Sequence, residues 1–348
     1  NMYDHKGAQY SLVIFDEVHH LGDNLTWGDA AVTAFENAKF RLLISGTAFR
    51  SDTNKIPYIT YENEVSKEDY AYSYEQAILD NVCRPIYFHS IDGIMKWEVG
   101  EYTFLHKFSD SVTKDQKSKR LKTALDSQGQ FIRDVFTQAD QTLNQVRKSH
   151  PQAAGLVFCT TQEHAKEVSK IVKKITGTQP LTVISEDSSS NEKINQFKNS
   201  TDKWIITVKM VSEGVDIPRL RVGVYLTNVK AELFFRQAIG RFVRVLQGLE
   251  QQDAHIFIPA DKDIVNIAET IQEERDHALY EIEEEKKAQQ GLFPEYKPAL
   301  KGEFIPLGSK ATTKKTISVN VGISNGMVTK KIIRQNLPIF EQKIQLRE

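Results

Sequence analysis

Two carboxylates, two histidines and a pair of arginines stand out in this 348-residue chain by type and spacing. Asp16 and Glu17 end the apolar run Leu12-Val13-Ile14-Phe15, with His19 and His20 just beyond. A short continuous apolar run is the pattern of a strand buried on both faces of a parallel sheet, and such sheets bind ligands outside their carboxyl ends. Adjacent carboxylates placed there suit Mg2+-dependent phosphate chemistry. One holds the metal, the other orients or deprotonates a water. A transition-metal hydrolase site built from Asp16, Glu17, His19 and His20 is a second reading. Neighbouring residues at a strand end point to opposite sides, which makes that chelate awkward. A solvated Asp-Glu pair is the third.

Gln237, Arg241 and Arg244 have the spacing i, i+4, i+7, which puts them on one face of a helix expected over residues 231–246. Phe235, Ile239, Phe242, Val243 and Leu246 fall on the other side and are expected to pack on a sheet. Gly240 removes a side chain beside the arginines, at about 1 kcal/mol of helix propensity relative to alanine. That is easier to understand if something must approach closely. Two guanidiniums facing one point suit a cluster of anionic oxygens, while a salt-bridged surface pair is the plainer reading. In the stretch 210–218, Gly214 permits a tight turn, and Asp216 could accept hydrogen bonds from a ribose or from the arginine helix. This loop leaves the carboxyl end of a strand, so Asp216 is expected at that edge.

The elements that must position these residues alternate. Strands are expected at 10–17, 40–44, 155–159, 181–185, 204–208, 222–227 and 254–259, with helices at 25–38, 162–174, 191–199 and 231–246. That alternation means α/β architecture with doubly wound parallel sheets. Between them, 56–150 is mixed: extended near 56–65, helical at 68–81, a strand at 85–89, and a helix over 131–148. The helix at 111–124 carries Lys114, Lys117, Lys119, Arg120 and Lys122, read as a solvated face. A long charged helix is expected over 261–290, and a strand at 316–321.

Bulk properties narrow the class. The composition, 40% hydrophobic and 26% charged, is that of a globular protein, and the length allows two domains. With Cys83 and Cys159 as the two cysteines, no disulfide framework follows, and a reducing cytoplasm fits best. No apolar run reaches bilayer length, so no membrane partner is expected. The net charge of −1 is unevenly spread: residues 261–290 hold ten acidic and four basic residues, and 291–348 hold four and ten. A basic tail after an acidic helix is a weak pointer to a polyanion.

Taken together, these segments resemble the superfamily 2 helicases and translocases, in particular their DEAH-like branch. Asp16-Glu17-Val18-His19 is similar to motif II, Ser45-Gly46-Thr47-Ala48 to motif III, and Val157-Phe158-Cys159-Thr160-Thr161 to motif IV. Ser212-Glu213-Gly214-Val215-Asp216-Ile217-Pro218 is similar to motif V and Gln237-x-x-Gly240-Arg241-x-x-Arg244 to motif VI. The five stand in family order over roughly residues 10–260. The resemblance implies RecA-like sheets, one partial and one complete, and the cofactors ATP and Mg2+. It implies that Asp16 holds Mg2+ through water and Glu17 activates the attacking water. His19, Ser45 and Thr47 would couple nucleotide state between domains, with Gly214 and Gly240 giving room, Gln237 in the coupling set and Asp216 on the ribose or the arginine helix. Arg241 and Arg244 would bear on the γ-phosphate, and the partner would be nucleic acid, DNA in preference to RNA.

One family element is absent. No glycine here is followed by lysine, so the phosphate loop G-x-x-x-x-G-K-[S/T], whose N–H groups and lysine cradle the phosphates, is not in this sequence. The expected organisation is therefore a remnant of a first RecA-like domain at 1–64, a helical connector at 65–150, a complete second domain at 151–262 and an extension at 263–348. The chain reads as the C-terminal portion of a longer motor, inactive towards ATP alone. Two alternatives remain: a non-catalytic nucleic-acid-binding or interaction module, and the motor subunit of a restriction or defence system.

Overall fold

The computed structural model describes residues 12–18, 21, 25–46, 56–62, 65–184, 190–208, 216–249, 252–289, 317–324 and 327–333. Two compact units make up the chain, one of residues 1–73 with 229–241, the other of 74–228 with 242–348.

In the first unit, β1 (Leu12–Phe15) and β2 (Phe40–Leu43) pair in parallel, joined through α1 (Leu25–Phe35). Arg41 closes the end of α1, its Nη2 donating to the carbonyls of Phe35 (2.9 Å) and Glu36 (2.6 Å). Val18, Leu21, Ala31 and Ile56 form the core of this unit. The expectation that β1 is buried on both faces fails: Val13 points inward, while Leu12 and Ile14 are 58% and 57% exposed. A two-stranded ribbon covered on one side buries alternate residues, whatever their hydrophobicity. A short hairpin, β3 (Thr60–Glu62) and β4 (Val65–Lys67), follows. Within the 229–241 stretch lies α7 (Glu232–Ile239).

The second unit opens with α2 (Tyr74–Leu79), β5 (Ile86–Ile91) and the antiparallel hairpin β6 (Ile94–Val99)–β7 (Tyr102–Lys107). Next come α3 (Lys114–Ala124), α4 (Phe131–Ser149), β8 (Ala154–Cys159), α5 (Gln162–Thr176), β9 (Leu181–Val183), α6 (Ser190–Lys198) and β10 (Trp204–Val208). β11 (Leu220–Leu226), β12 (Ala254–Pro259) and α8 (Lys262–Gln289) complete it, followed by the hairpin β13 (Ile317–Ser324)–β14 (Met327–Ile333). The six-stranded sheet runs β5-β12-β11-β8-β10-β9, every pair parallel.

Burial explains the strand sequences. β8, β10 and β11 are buried at every residue, as expected where both faces are covered. On one face sits α4, whose Ile132, Val135, Phe136, Ala139 and Leu143 recur at helical spacing. Asp140 shares that face and is satisfied there: its Oδ1 accepts from Lys203 Nζ and Trp204 Nε1, each at 2.8 Å, and its Oδ2 from Asn144 at 2.9 Å. The Trp204 ring lies flat against Gly155, where a Cβ would overlap it. α5 starts on Thr161, whose side chain accepts the His164 N–H, and ends on Gly177 at φ +76°.

Several expectations change. The boundary expected at 151 falls inside this unit, because β5 supplies the edge strand of the sheet and α4 covers its face. The β6–β7 hairpin has no counterpart in the sequence reading. Arg120 does not belong to a solvated face: it is 1% exposed, stacks over Phe108 and donates to the Lys107 carbonyl at 2.5 Å.

His89 on β5 and His255 on β12 face each other in the sheet, Nε2 to Nδ1 at 3.2 Å, with His89 stacked on Phe257. Burial holds His89 at about 4. Burial, then the neighbouring His89 and Arg221, hold His255 at about 3. The unfolded chain binds a proton on each near the ordinary 6.5, and the folded chain does not until far lower pH. This contribution to stability is full above 6.5 and is lost as pH falls towards the folded values, by up to about 1.4 kcal/mol per pH unit for each histidine. Melting temperature is therefore expected to drop between pH 6.5 and 4.5, and the double variant His89→Phe/His255→Phe is expected to flatten that slope. An unchanged slope would refute the assignment.

Candidate functional site

In the first unit, the expected carboxylates sit at the carboxyl edge of the two-stranded sheet. The chain turns sharply after Phe15: Glu17 takes φ +50°, an uncommon conformation for a residue with a side chain, and its N–H donates to Asp16 Oδ1 at 3.0 Å. Val18 N–H donates to the Ile44 carbonyl (3.1 Å) and Ile44 N–H to the Phe15 carbonyl (2.9 Å). These bonds bring Ser45, at the end of β2, to the same edge as Asp16 and Glu17. Asp16 is exposed and Glu17 half-buried. With one oxygen fixed by a backbone N–H, the Asp16 carboxylate keeps acceptor capacity for a hydrated cation. His19, His20 and Thr47 lie outside the described residues. Gln237, Gly240 and Arg241 belong to this same unit.

From Ile239 onward the geometry departs from the single helix expected from the sequence. The helix expected over 231–246 ends at Ile239, a 3-10 turn spans Gly240–Phe242, and Arg244 lies in an antiparallel bridge with Cys83. Gln237, Arg241 and Arg244 therefore do not share one continuous helical face. Phe242 closes the 3-10 turn. Its ring is fully buried, edge-on to Phe158 at 6.3 Å, and fills the space over Gly223, where a Cβ would come within 2.8 Å of it. A Cβ at Gly240, by contrast, meets no described atom within 4 Å, so packing among the described residues does not require that glycine.

Asp216 meets Arg244, Oδ1 to Nε at 3.4 Å, with the side chains 47% and 61% exposed. The pair lies beside the amino edge of the six-stranded sheet, not the carboxyl edge expected for Asp216. The β11 strand is parallel to β10, so the connection must carry the chain back to the starting edge before Leu220. Gly214 lies outside the described residues.

Arg84, which nothing in the sequence singled out, gathers this region. Its guanidinium donates to the carbonyls of Pro218 (2.8 Å) and Leu220 (3.3 Å), and its backbone N–H to the Val243 carbonyl (2.7 Å). Burial, then the neighbouring Arg221, lowers it to about 9, so it stays cationic at neutral pH. Burial raises the Cys83 thiol above its ordinary value. His150 is lowered to about 4 by burial and by Arg221, Arg84, Arg219 and Arg147.

Among the described residues, the trio of metal-ligating type is Glu75, His277 and Glu281, where α2 meets α8. His277 Nδ1 lies 2.5 Å from Glu75 and 3.7 Å from Glu281 in an exposed ion cluster that includes none of the expected site residues. Thr160 follows β8, its hydroxyl 2.8 Å from His164 Nδ1.

Residues 137–246 match the family described as "Helicase conserved C-terminal domain". The chain is 38% identical over 279 residues to the uncharacterised Mycobacterium tuberculosis protein Rv2917, covering 78% of this chain and 46% of that protein. With the uncharacterised Mycobacterium leprae protein ML1624 it shares 39% over 276 residues, 77% of this chain and 46% of the relative. The matched stretch thus spans less than half the length of these relatives. A fragment assigned to an HsdR subunit of a type I restriction enzyme from Vibrio vulnificus YJ016 has a similar fold. It aligns with a TM-score of 0.52 at 20% identity, over 74% of this chain and 45% of that one. No helix among the described residues is long and apolar enough to cross a membrane.

The Asp216–Arg244 pair is too exposed to be a stability device, since such pairs are worth about 0–1 kcal/mol. Asp216→Asn is expected to leave chemical unfolding within about 1 kcal/mol of the parent. A larger loss would make the pair structural.

Proposed function

We propose that this chain, which carries a superfamily 2 helicase-like C-terminal portion across residues 137–246, serves an ATP-driven nucleic-acid helicase or translocase. The observation that carries this reading is the contact of Asp216 with Arg244. It joins the two segments that the resemblance gives to nucleotide binding, although they are 28 positions apart and on either side of β11.

In this reading Glu17 activates the attacking water from a left-handed turn just beyond β1. Asp16 would hold Mg2+ through water, and the ion would supply charge neutralisation at the phosphates. His19, Ser45 and Thr47 transmit nucleotide state, helped by Gln237 and by the room left at Gly214 and Gly240. Arg241 and Arg244 serve the γ-phosphate. Asp216 braces Arg244 until a nucleotide arrives, and a half-exposed pair at 3.4 Å is weak enough to open for it. The polymer is bound through its phosphate backbone with steep salt dependence, DNA in preference to RNA.

The phosphate-binding loop is supplied from outside these 348 residues: the sequence has no Gly-Lys pair, and the relatives are more than twice as long as the matched stretch. A non-catalytic binding module is the second reading, favoured by that same missing pair. The 348-residue chain alone is expected to show negligible Mg2+-dependent ATP turnover, with or without DNA. The intact protein is expected to show DNA-stimulated turnover that Glu17→Gln lowers at least about a hundredfold, the scale of general-base loss. Robust turnover by the short chain, abolished by Glu17→Gln, would overturn the proposed division. No turnover by the intact protein with any nucleic acid would favour the binding module.

A further inference from the structure

We propose that Arg84 is a positioning residue for the Asp216–Arg244 pair, holding both members in register from a position in neither of their segments. This inference rests on the ATPase reading above and names a residue that none of the helicase-like motifs contains.

Arg84 grips the two segments with different parts of itself. Its side chain donates to the carbonyls of Pro218 and Leu220, two and four residues after Asp216. Its backbone N–H donates to the Val243 carbonyl, one residue before Arg244, while Cys83 bridges Arg244 directly. Tyr74 Oη donates to the Arg84 carbonyl at 2.8 Å, which ties the clamp to α2. At 1% exposure the guanidinium is desolvated, so its bonds are not traded with water.

Anchoring β5 does not account for this side chain. The edge strand is already held by its full ladder with β12 over Ile86–Ile91, by Ala254 N–H on the Pro85 carbonyl and by Arg275 on the Ile86 carbonyl. The Arg84 fork instead reaches past β12 to the entry of β11, two strands away in the sheet order. Nor can the pair hold itself, being half-exposed and 3.4 Å apart. Something buried must fix the separation of the two backbones that carry it. Among the described residues Arg84 bonds to both. Lysine cannot replace it, because a single ammonium lacks the planar fork that spans two carbonyls.

The test uses the intact protein with ATP, Mg2+ and DNA, comparing Arg84→Lys and Arg84→Met with the parent, and also Asp216→Asn/Arg244→Lys with and without Arg84→Lys. Arg84→Lys is expected to fold but to melt below the parent, since a buried carbonyl loses its donor, and also to lower kcat about tenfold and to raise KM for ATP several-fold. In the background lacking the pair it is expected to change neither further, since residues acting through one contact are not additive. Arg84→Met serves as the control for the lost charge and is expected to be at least as impaired. A fall in kcat with unchanged KM, persisting in the pair-less background, would mean that Arg84 supports folding alone and would overturn the inference. So would parent-like kinetics of Arg84→Lys. If the parent itself shows no ATP turnover, the functional reading fails first, and this inference with it.

Discussion

A parallel sheet obliges its chain to return to the starting edge after every strand, and every return must cross a face or skirt an end. Much of this protein follows from that constraint. The return from β10 to β11 brings Asp216 beside the amino edge. The return from β11 to β12 brings Arg244 to the same place, after α7 and the 3-10 turn. The two residues meet because both connections end where their next strands begin. On the second connection Phe242 is fully buried, its ring over Gly223.

Crossings leave carbonyl groups without ladder partners, and here buried arginines supply them. Arg84 serves Pro218 and Leu220, Arg120 serves Lys107 and Asp110, and Arg219 serves Gln152 and Asp202. A guanidinium suits this task because it offers five donors in a fixed plane and stays charged when buried. Carboxylates play little part in it. The interior is thus stapled by cation-to-carbonyl bonds.

The exposed Asp216–Arg244 pair sits on this rigid base, and the combination has a physical logic. An exposed pair is cheap to open in water, while the backbones carrying it are fixed from below. Glu17 shows the complementary arrangement in the first unit. Its side chain is aimed by an unusual backbone angle that Val18 and Ile44 hold through two hydrogen bonds.

The sequence by itself determined the strand-and-helix alternation of 152–260, the α4 and α8 helices, and the placement of Asp16 and Glu17 at a strand end. Periodicity and apolar runs are local signals, and these elements obey them. Tertiary structure alone decided the rest. β5 joins the second sheet although it lies far upstream in sequence, because parallel pairing is non-local. The arginine helix stops at Ile239, ahead of a 3-10 turn and of the bridge that sets Arg244 against Cys83, a partner 161 positions upstream that no local pattern shows. Arg84, written in the sequence as an unremarked Cys-Arg-Pro before a strand, acquires its partners only when residues 134 and 136 positions away fold against it. No spacing rule reaches that distance, since what fixes those contacts is the return path of a parallel sheet.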